Sequence, residues 1–174
     1  MLGTDPTYRE ALNNLGGVYV VLGREEEAMK VYGRAVAAHP NFAAAYFNLG
    51  RLKLGQDHLA EGAAFLKRAL ELYADAPTYY ELGNAYVRQK QLGEAAKAYR
   101  QASRLDGQQV QYLYNLGEVL LGLGQQDWET GDELGALQRW GEARTRFQQV
   151  VGLDPGFRGG GAQLRLRQLE ERLP

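Results

Sequence analysis

The chain has 174 residues, with 20 basic and 21 acidic side chains and no cysteine. This charge balance argues against a dedicated nucleic-acid-binding protein, because phosphate contacts need clustered Lys and Arg. The lack of cysteine excludes a disulfide framework and a thiolate nucleophile. No stretch resembles a signal peptide or a membrane span, so we expect a cytoplasmic protein without membrane contacts, although a processed leader would leave the same sequence.

The first forty residues predict two amphipathic helices. Apolar residues fall three and four positions apart on both sides of a polar break at Gly23 and Arg24. The second helix ends near Pro40, because the residue before a proline is pushed out of helical geometry. Glu25 to Glu27 lie at the start of this helix, where acidic side chains favour the helix dipole without any catalytic role.

The same pattern returns along the chain with a period of about 34 residues, which indicates a helical repeat. The first helix of each copy contains a Leu-Gly pair. A small residue, a large residue and a second small residue follow it in the second helix, at about the same distances in the first three copies. Glycine is costly inside a helix, so its recurrence predicts a close approach of the two helices. The pairs are Leu15-Gly16, Leu49-Gly50, Leu82-Gly83 and Leu116-Gly117.

Two copies depart from this pattern. In the second, Lys53 replaces the usual tyrosine and Gly62 replaces the usual alanine, so we expect that pair to pack less firmly. In the fourth, an insertion of about 14 residues lies between Gly124 and Trp140. The insertion predicts either a protruding hairpin with two extra turns in each helix or a mobile loop. Trp140 matches core leucines of earlier copies and is expected to be buried.

The chain is expected to end in a capping helix at about 162–173, after a GFRGGG hinge. Asp154 and Pro155 close the last repeat. Asp5 and Pro6 form the same dipeptide, which either closes a preceding repeat or caps the first helix.

These residues resemble the tetratricopeptide repeat. The resemblance implies an all-α fold, an α-solenoid of antiparallel helix pairs that forms a right-handed superhelix. It further implies one array over 5–174, with repeats at about 9–42, 43–75, 76–109 and 110–157. The first copy carries Leu12, Leu15, Gly16, Tyr19, Ala28, Tyr32, Ala35 and Pro40, and the third nearly the same set.

In that family the first helix of each pair lines a concave groove. With the Leu-Gly pairs taken as buried, the residues beside them combine aromatic rings, amides and single charges, which suits an extended or helical peptide. The alternative is that the aromatic rings only complete the core. The predicted groove residues are Asn13, Asn14, Phe47, Asn48, Arg51, Tyr80, Asn84, Arg88, Tyr114, Asn115 and Glu118.

Asparagines precede three of the Leu-Gly pairs. Asn14, Asn48 and Asn115 resemble the asparagine ladder that holds a peptide backbone in some family members, and Glu81 would break the ladder. The carboxylate clamp of chaperone-tail binders is rejected, because only Asn48 matches its pattern. In the insertion, Trp128 is either a partner contact or folds back on its own hairpin.

No pattern predicts catalysis. His39 and His58 are the only histidines, and their spacing is not that of metal ligands. GFRGGG lacks the Lys and Ser or Thr of a phosphate-binding loop. We therefore expect no enzyme activity, no cofactor and no nucleic-acid partner. The sequence predicts an adaptor or scaffold that binds a protein or peptide partner, with self-assembly into a homo-oligomer as the alternative.

Overall fold

The computed structural model describes residues 6–173, and those residues form helices and turns without a strand. The all-α fold expected from the periodicity is confirmed. Helices α1 and α2, α3 and α4, and α7 and α8 pack as pairs, and α9 follows a short 3-10 helix, Phe157–Gly159. The bounds are α1 Pro6–Val21, α2 Glu25–Ala38, α3 Ala43–Gly55, α4 Leu59–Leu72, α5 Ala76–Arg88, α6 Leu92–Leu105, α7 Val110–Glu129, α8 Glu133–Leu153 and α9 Gly161–Glu170.

The chain divides into two compact units, Met1–Ala85 and Tyr86–Pro174. The boundary lies inside α5. The first helix begins at Pro6, and Asp5, on which both interpretations of the Asp5-Pro6 pair depend, lies outside the described residues. None of the helices in residues 6–173 combines the length and hydrophobicity that crossing a bilayer requires.

Each hairpin turn contains one residue with a left-handed backbone. Gly23, Asp57, Lys90 and Gly131 have φ between 59° and 87°. This conformation reverses the chain within a few residues, so the second helix of each pair starts antiparallel to the first.

Three of the Leu-Gly glycines, Gly16, Gly50 and Gly117, lie where two helices of a hairpin touch. A Cβ on Gly16 would stand 2.4 Å from a ring carbon of Tyr32, and a Cβ on Gly117 would stand 2.7 Å from Cζ of Phe147. Real side-chain carbons do not approach this closely, so the expected packing role of these glycines is confirmed. In each of these three copies the large residue of the second helix fills the space that the glycine leaves.

The second hairpin is well packed at its two unusual positions, contrary to expectation. Gly62 leaves no gap, because a Cβ there would lie 2.7 Å from Cδ2 of Leu54, which is itself buried. Lys53 is mostly covered, and its ammonium group lies 2.8 Å from a carboxylate oxygen of Glu61. The hydrogen bond from Lys53 lowers the pKa of Glu61. The lysine stem replaces the tyrosine ring while its charge is neutralised at the rim.

In the fourth pair, the inserted residues extend both helices. Helix α7 has 20 residues where α3 and α5 have 13, and α8 has 21 where α2, α4 and α6 have 14. Of the two predicted conformations, the longer hairpin is therefore the one found. A second close contact appears in the extension, where a Cβ on Gly124 would lie 2.5 Å from Trp140. Trp140 is buried, as expected.

An ion pair joins α6 to α8 in the second unit. Two nitrogens of Arg100 donate to the carboxylate of Glu142, at 3.0 and 2.7 Å, and both side chains are about two-thirds covered. This bidentate hydrogen bond lowers the pKa of Glu142, and the charge of Arg146 lowers it further.

The Arg100–Glu142 pair should make stability depend on pH. Because the folded pKa of Glu142 lies below its unfolded value, the stabilisation is present above the unfolded pKa of about 4.3 and is lost as pH falls through the folded pKa. We expect Glu142→Gln to lower the free energy of unfolding at pH 7 by on the order of 1 kcal/mol. Urea unfolding at pH 7 and pH 3 tests this. If Glu142→Gln lowers the free energy of unfolding as much at pH 3 as at pH 7, the stabilisation does not come from the ion pair.

Candidate peptide-binding surface

The first helices of the first unit bring several predicted groove residues together. The amide nitrogen of Asn48 on α3 donates to the side-chain oxygen of Asn13 on α1, at 2.9 Å. Arg51, one turn further along α3, lies 3.6 Å from a carboxylate oxygen of Glu81 on α5. We call the surface formed by Asn13, Asn48, Arg51 and Glu81 the polar face of the first unit.

Glu81 is an acceptor on this face. Besides the ion pair with Arg51, its other carboxylate oxygen accepts a hydrogen bond of 3.2 Å from the amide of Asn84. From the sequence alone, Glu81 was expected only to interrupt an asparagine ladder. In the structure it holds the arginine of α3 and the asparagine of α5, so it orders two groove residues at once.

A cavity of about 310 Å³ lies between α1, α2 and α3 beside this face. Tyr32 and Leu52 are buried side chains in its wall, and Val20 adds apolar surface. Burial raises the pKa of Tyr32, and the charge of Arg51 partly opposes this, so its phenol is neutral at physiological pH. The remaining lining residues are Gly17, Glu25, Asn48, Arg51 and Gly55.

The rim of this cavity is charged at two points. Arg51 is more than half exposed, and its guanidinium carbon lies 5.7 Å from the ring centre of Phe47. Glu25 accepts a hydrogen bond of 3.2 Å from the side chain of Gln56. The sequence patterns did not identify Glu25 or Gly55 as residues of this surface. Glu25 was assigned to the helix dipole alone, whereas Gly55 was detectable, since it lies one turn after Arg51 on the same helix face.

A second, more apolar hollow includes Phe47 in its wall. It is lined by α3 residues, by Tyr73 and Asp75 of the connection between α4 and α5, and by Pro77 in the first turn of α5. Tyr73 is 66% exposed. Asp75 accepts from the backbone nitrogen of Thr78 at 2.8 Å, which fixes the start of α5 beside the hollow. No sequence pattern singled out Tyr73.

Three further predicted groove residues lie on α1 and α5, with Arg88 just inside the second unit. Asn14 is exposed on α1, Tyr80 is half-buried on α5, and Arg88 is exposed in the last turn of α5. The Leu-Gly pair of α1 differs from the others, because Leu15 is 40% exposed while Leu49, Leu82 and Leu116 are buried. The assumption that all four pairs are buried is wrong at Leu15.

In the second unit, the chain's own C-terminal segment covers the predicted groove positions. Tyr114 is only 7% exposed, with edge-on contacts to the rings of Phe147 and Phe157 at centroid distances of 5.5 and 5.4 Å. The guanidinium group of Arg158 lies 4.8 Å from the centre of the Tyr114 ring. Tyr114 thus has the packing role that was the alternative for the aromatic rings.

Glu118 is also paired within the chain. Arg165 of α9 donates to both of its carboxylate oxygens, at 2.6 and 2.9 Å. Asn115, one turn before, accepts a hydrogen bond of 3.0 Å from Gln111. The C-terminal helix therefore lies where a ligand of α7 was expected.

Trp128 near the tip of the long hairpin folds back on its own hairpin and stays about half exposed. Its ring centre lies 5.6 Å from that of Trp140 on the facing helix, yet its side chain is 47% exposed. An ion pair between Asp127 and Arg139 joins the two helices beside it. Within the described part of the chain, no three His, Cys, Asp or Glu side chains gather as metal ligands would.

Family models and solved structures identify the repeat. A model described as tetratricopeptide repeat matches residues 23–85, and one described as TPR repeat matches residues 83–124. Together they span more than half of the chain. Human tetratricopeptide repeat protein 6 is 28% identical over 81 residues, which is 47% of this chain. The chain spans only 15% of the length of that relative.

Three solved structures share the fold. The TPR protein YrrB, described as having an unusual peptide-binding site, aligns with a TM-score of 0.77 and 19% identity over 92% of this chain and 75% of its own. A MamA structure aligns with a TM-score of 0.78 and 20% identity, over 94% of this chain and 81% of its own. PilF of Pseudomonas aeruginosa aligns with a TM-score of 0.71 and 20% identity, over 95% of this chain and 70% of its own. The chain therefore belongs to the tetratricopeptide repeat family and has the helix-pair architecture of its solenoids.

Proposed function

We propose that this chain is a protein-interaction module that binds a polypeptide segment of a partner on the polar face of the first unit. The observation that carries the proposal is the open cavity beside Asn48 and Arg51, where amide, guanidinium and apolar groups meet within one unit. The tetratricopeptide fold supports an interaction role in general. YrrB, a relative by fold, is described as having a peptide-binding site.

The asparagine pair is suited to a peptide backbone. One hydrogen bond between Asn48 and Asn13 fixes both side chains, and each amide retains one hydrogen-bonding atom outside that bond. A free amide N–H complements a backbone carbonyl, and a free amide oxygen complements a backbone N–H. Binding would therefore start from a prearranged donor and acceptor, which lowers its conformational cost.

The cavity adds side-chain selectivity to this backbone contact. Its Val20, Leu52 and Tyr32 surface favours an apolar or aromatic side chain, which gains free energy by leaving water. Arg51 at the rim favours an acidic neighbour in the bound segment. We infer a ligand with an apolar anchor next to an Asp or Glu, with Phe47, Tyr80 and Asn84 as flanking contacts.

We propose a binding role rather than catalysis, because the polar side chains of this face pair as amide with amide and arginine with glutamate. The surface of the second unit is not part of the proposal, since α9 and the preceding segment cover Tyr114 and Glu118. Self-assembly is the second candidate function, and it is favoured by apolar residues of α1, of which Val18 and Leu22 line a hollow next to Asn13 and Asn48.

Selection from a random peptide library on the immobilised chain tests this function. We expect enriched peptides to carry an apolar residue beside an acidic one, and Arg51→Ala and Asn48→Ala each to weaken their binding by roughly tenfold or more. Arg68→Ala is the matched control, because this arginine lies on α4 and pairs with Glu71 at 2.8 Å. The proposed binding surface would be refuted if Arg68→Ala weakened peptide binding equally, or if neither Arg51→Ala nor Asn48→Ala changed it.

A further inference from the structure

An apolar stripe runs along the exposed side of α1. Ala11, Leu15, Val18 and Leu22 follow one another at intervals of four, three and four residues, so they fall within a narrow arc of the helix. All four are exposed, and Leu15, Val18 and Leu22 have exposed fractions of 40%, 53% and 61%. The backbone N–H of Leu22 still donates to the carbonyl of Val18, so Leu22 continues the helical spacing. We call these four residues the α1 stripe.

The equivalent position in the next pair shows what such a stripe packs against. Leu49 of α3 is buried in a cluster with Ala28 and Tyr32 of α2, the second helix of the preceding pair. Helix α1 has no preceding helix among the described residues, and Leu15 is exposed for that reason. Monomeric proteins rarely expose contiguous apolar patches larger than roughly a few hundred Å².

We propose that the α1 stripe is a dimer interface, on which the α1 stripe of a second copy packs antiparallel. This inference goes beyond the proposed peptide binding and does not depend on it. The spacing of the stripe is the same when it is read in either direction. In an antiparallel pair, Ala11 of one copy faces Leu22 of the other while Leu15 faces Val18, so every apolar residue meets an apolar residue.

The charge distribution favours this pairing over a head-to-tail contact. The α1 stripe contains no charged residue, so two copies meet without like-charge repulsion. Helix α9, by contrast, exposes the charged Arg167 and Glu170 beside Leu164. Burying such charges against leucine and valine is unfavourable. A second α1 stripe is the better match, and the resulting contact is closed and two-fold rather than filament-forming.

The extent of the stripe sets the expected affinity. Two single-helix surfaces bury less than the roughly 1,600 Å² of a standard interface, so we expect a dissociation constant in the micromolar range. Val21, beside the stripe, is 87% exposed and enlarges the apolar surface.

Sedimentation of the full chain over a concentration series tests the dimer. We expect a monomer–dimer equilibrium in the wild type, and Val18→Glu to weaken it by more than about 100-fold, because the antiparallel contact buries both introduced charges. Leu105→Glu is the matched control, since Leu105 is also 53% exposed. Circular dichroism checks that helicity is kept. A wild type that stays monomeric at high concentration, or a dimer that withstands Val18→Glu, overturns the proposal.

The antiparallel register has its own test, which uses the lack of native cysteine. Ala11→Cys and Leu22→Cys chains should form a mixed disulfide when combined under oxidising conditions. Neither should cross-link to itself, because eleven residues of helix separate the two positions by about 16 Å. Self-cross-linking of the Ala11→Cys chain as efficient as the mixed reaction would indicate a parallel contact and would overturn the register.

Discussion

Phe147→Ala is expected to lower the free energy of unfolding by about 3–5 kcal/mol, the usual cost of emptying a fully buried aromatic site. The ring is completely inaccessible to solvent. It fills the space above Gly117 on α7 and packs edge-on against Tyr114. Because glycine has no side chain to move into the hole, the cavity would collapse little. Urea unfolding followed by circular dichroism measures the loss.

Leu134→Ala is the control for the Phe147 variant. Leu134 lies on the same helix and is 77% exposed, so its truncation should change the unfolding free energy by less than about 0.5 kcal/mol. A Phe147→Ala loss below about 1 kcal/mol would mean that the ring is not the central packing element of the fourth hairpin.

The same substitution at two glycines of one hairpin should have opposite effects. Gly117→Ala should destabilise by about 1–3 kcal/mol, because its Cβ would stand 2.7 Å from the Phe147 ring. Gly141→Ala should stabilise by up to about 1 kcal/mol, because this glycine lies inside α8 with nothing within 4 Å of the added carbon. Urea unfolding of both variants gives the comparison.

A double variant identifies the origin of the Gly117 effect. In the Phe147→Ala background the obstructing ring is gone, so Gly117→Ala should no longer destabilise and should show the helix-forming benefit of alanine. If Gly117→Ala costs the same with and without the ring, backbone geometry rather than the close contact would explain the glycine.

The helix pairs could be predicted from the sequence because each local signal agrees with the packing. The small residues Ala28, Ala95 and Ala143 are all completely buried, as their spacing from the Leu-Gly pairs suggested. Trp140 could be placed in the core by counting backwards from the fourth copy's alanine. Such periodic positions repeat one physical environment, so one copy predicts the next.

The surface was harder to predict, because exposure depends on what lies beside a residue. Leu15 has the same sequence context as Leu49, yet only Leu49 is covered by a preceding helix. Tyr114 has the expected groove position on α7 but is covered by Phe157 and Arg158. The chain reaches that ring through Arg158, with φ of 50°, and Gly160, with φ of 82°. A left-handed arginine has no clear sequence signal.

Charge pairing on the polar face was likewise outside the reach of a single sequence. Glu81 looked like a defect in a row of asparagines, but its carboxylate joins Arg51 and Asn84. Spacing along one helix shows which residues share a face. It does not show which atoms of the neighbouring helix are within hydrogen-bonding distance.

The long hairpin limits which insertions this repeat can accept. Moving seven residues up α7 and seven back along α8 converts the Gly117–Phe147 contact into the Gly124–Trp140 contact. Seven residues are close to two complete turns, so both helices keep the same side toward each other. Hairpin length in such a repeat is therefore expected to change by numbers of residues close to whole turns in each helix, as the seven added here are. An insertion far from a whole number of turns, such as about five residues in one helix, would rotate that helix and turn its apolar side away from its partner.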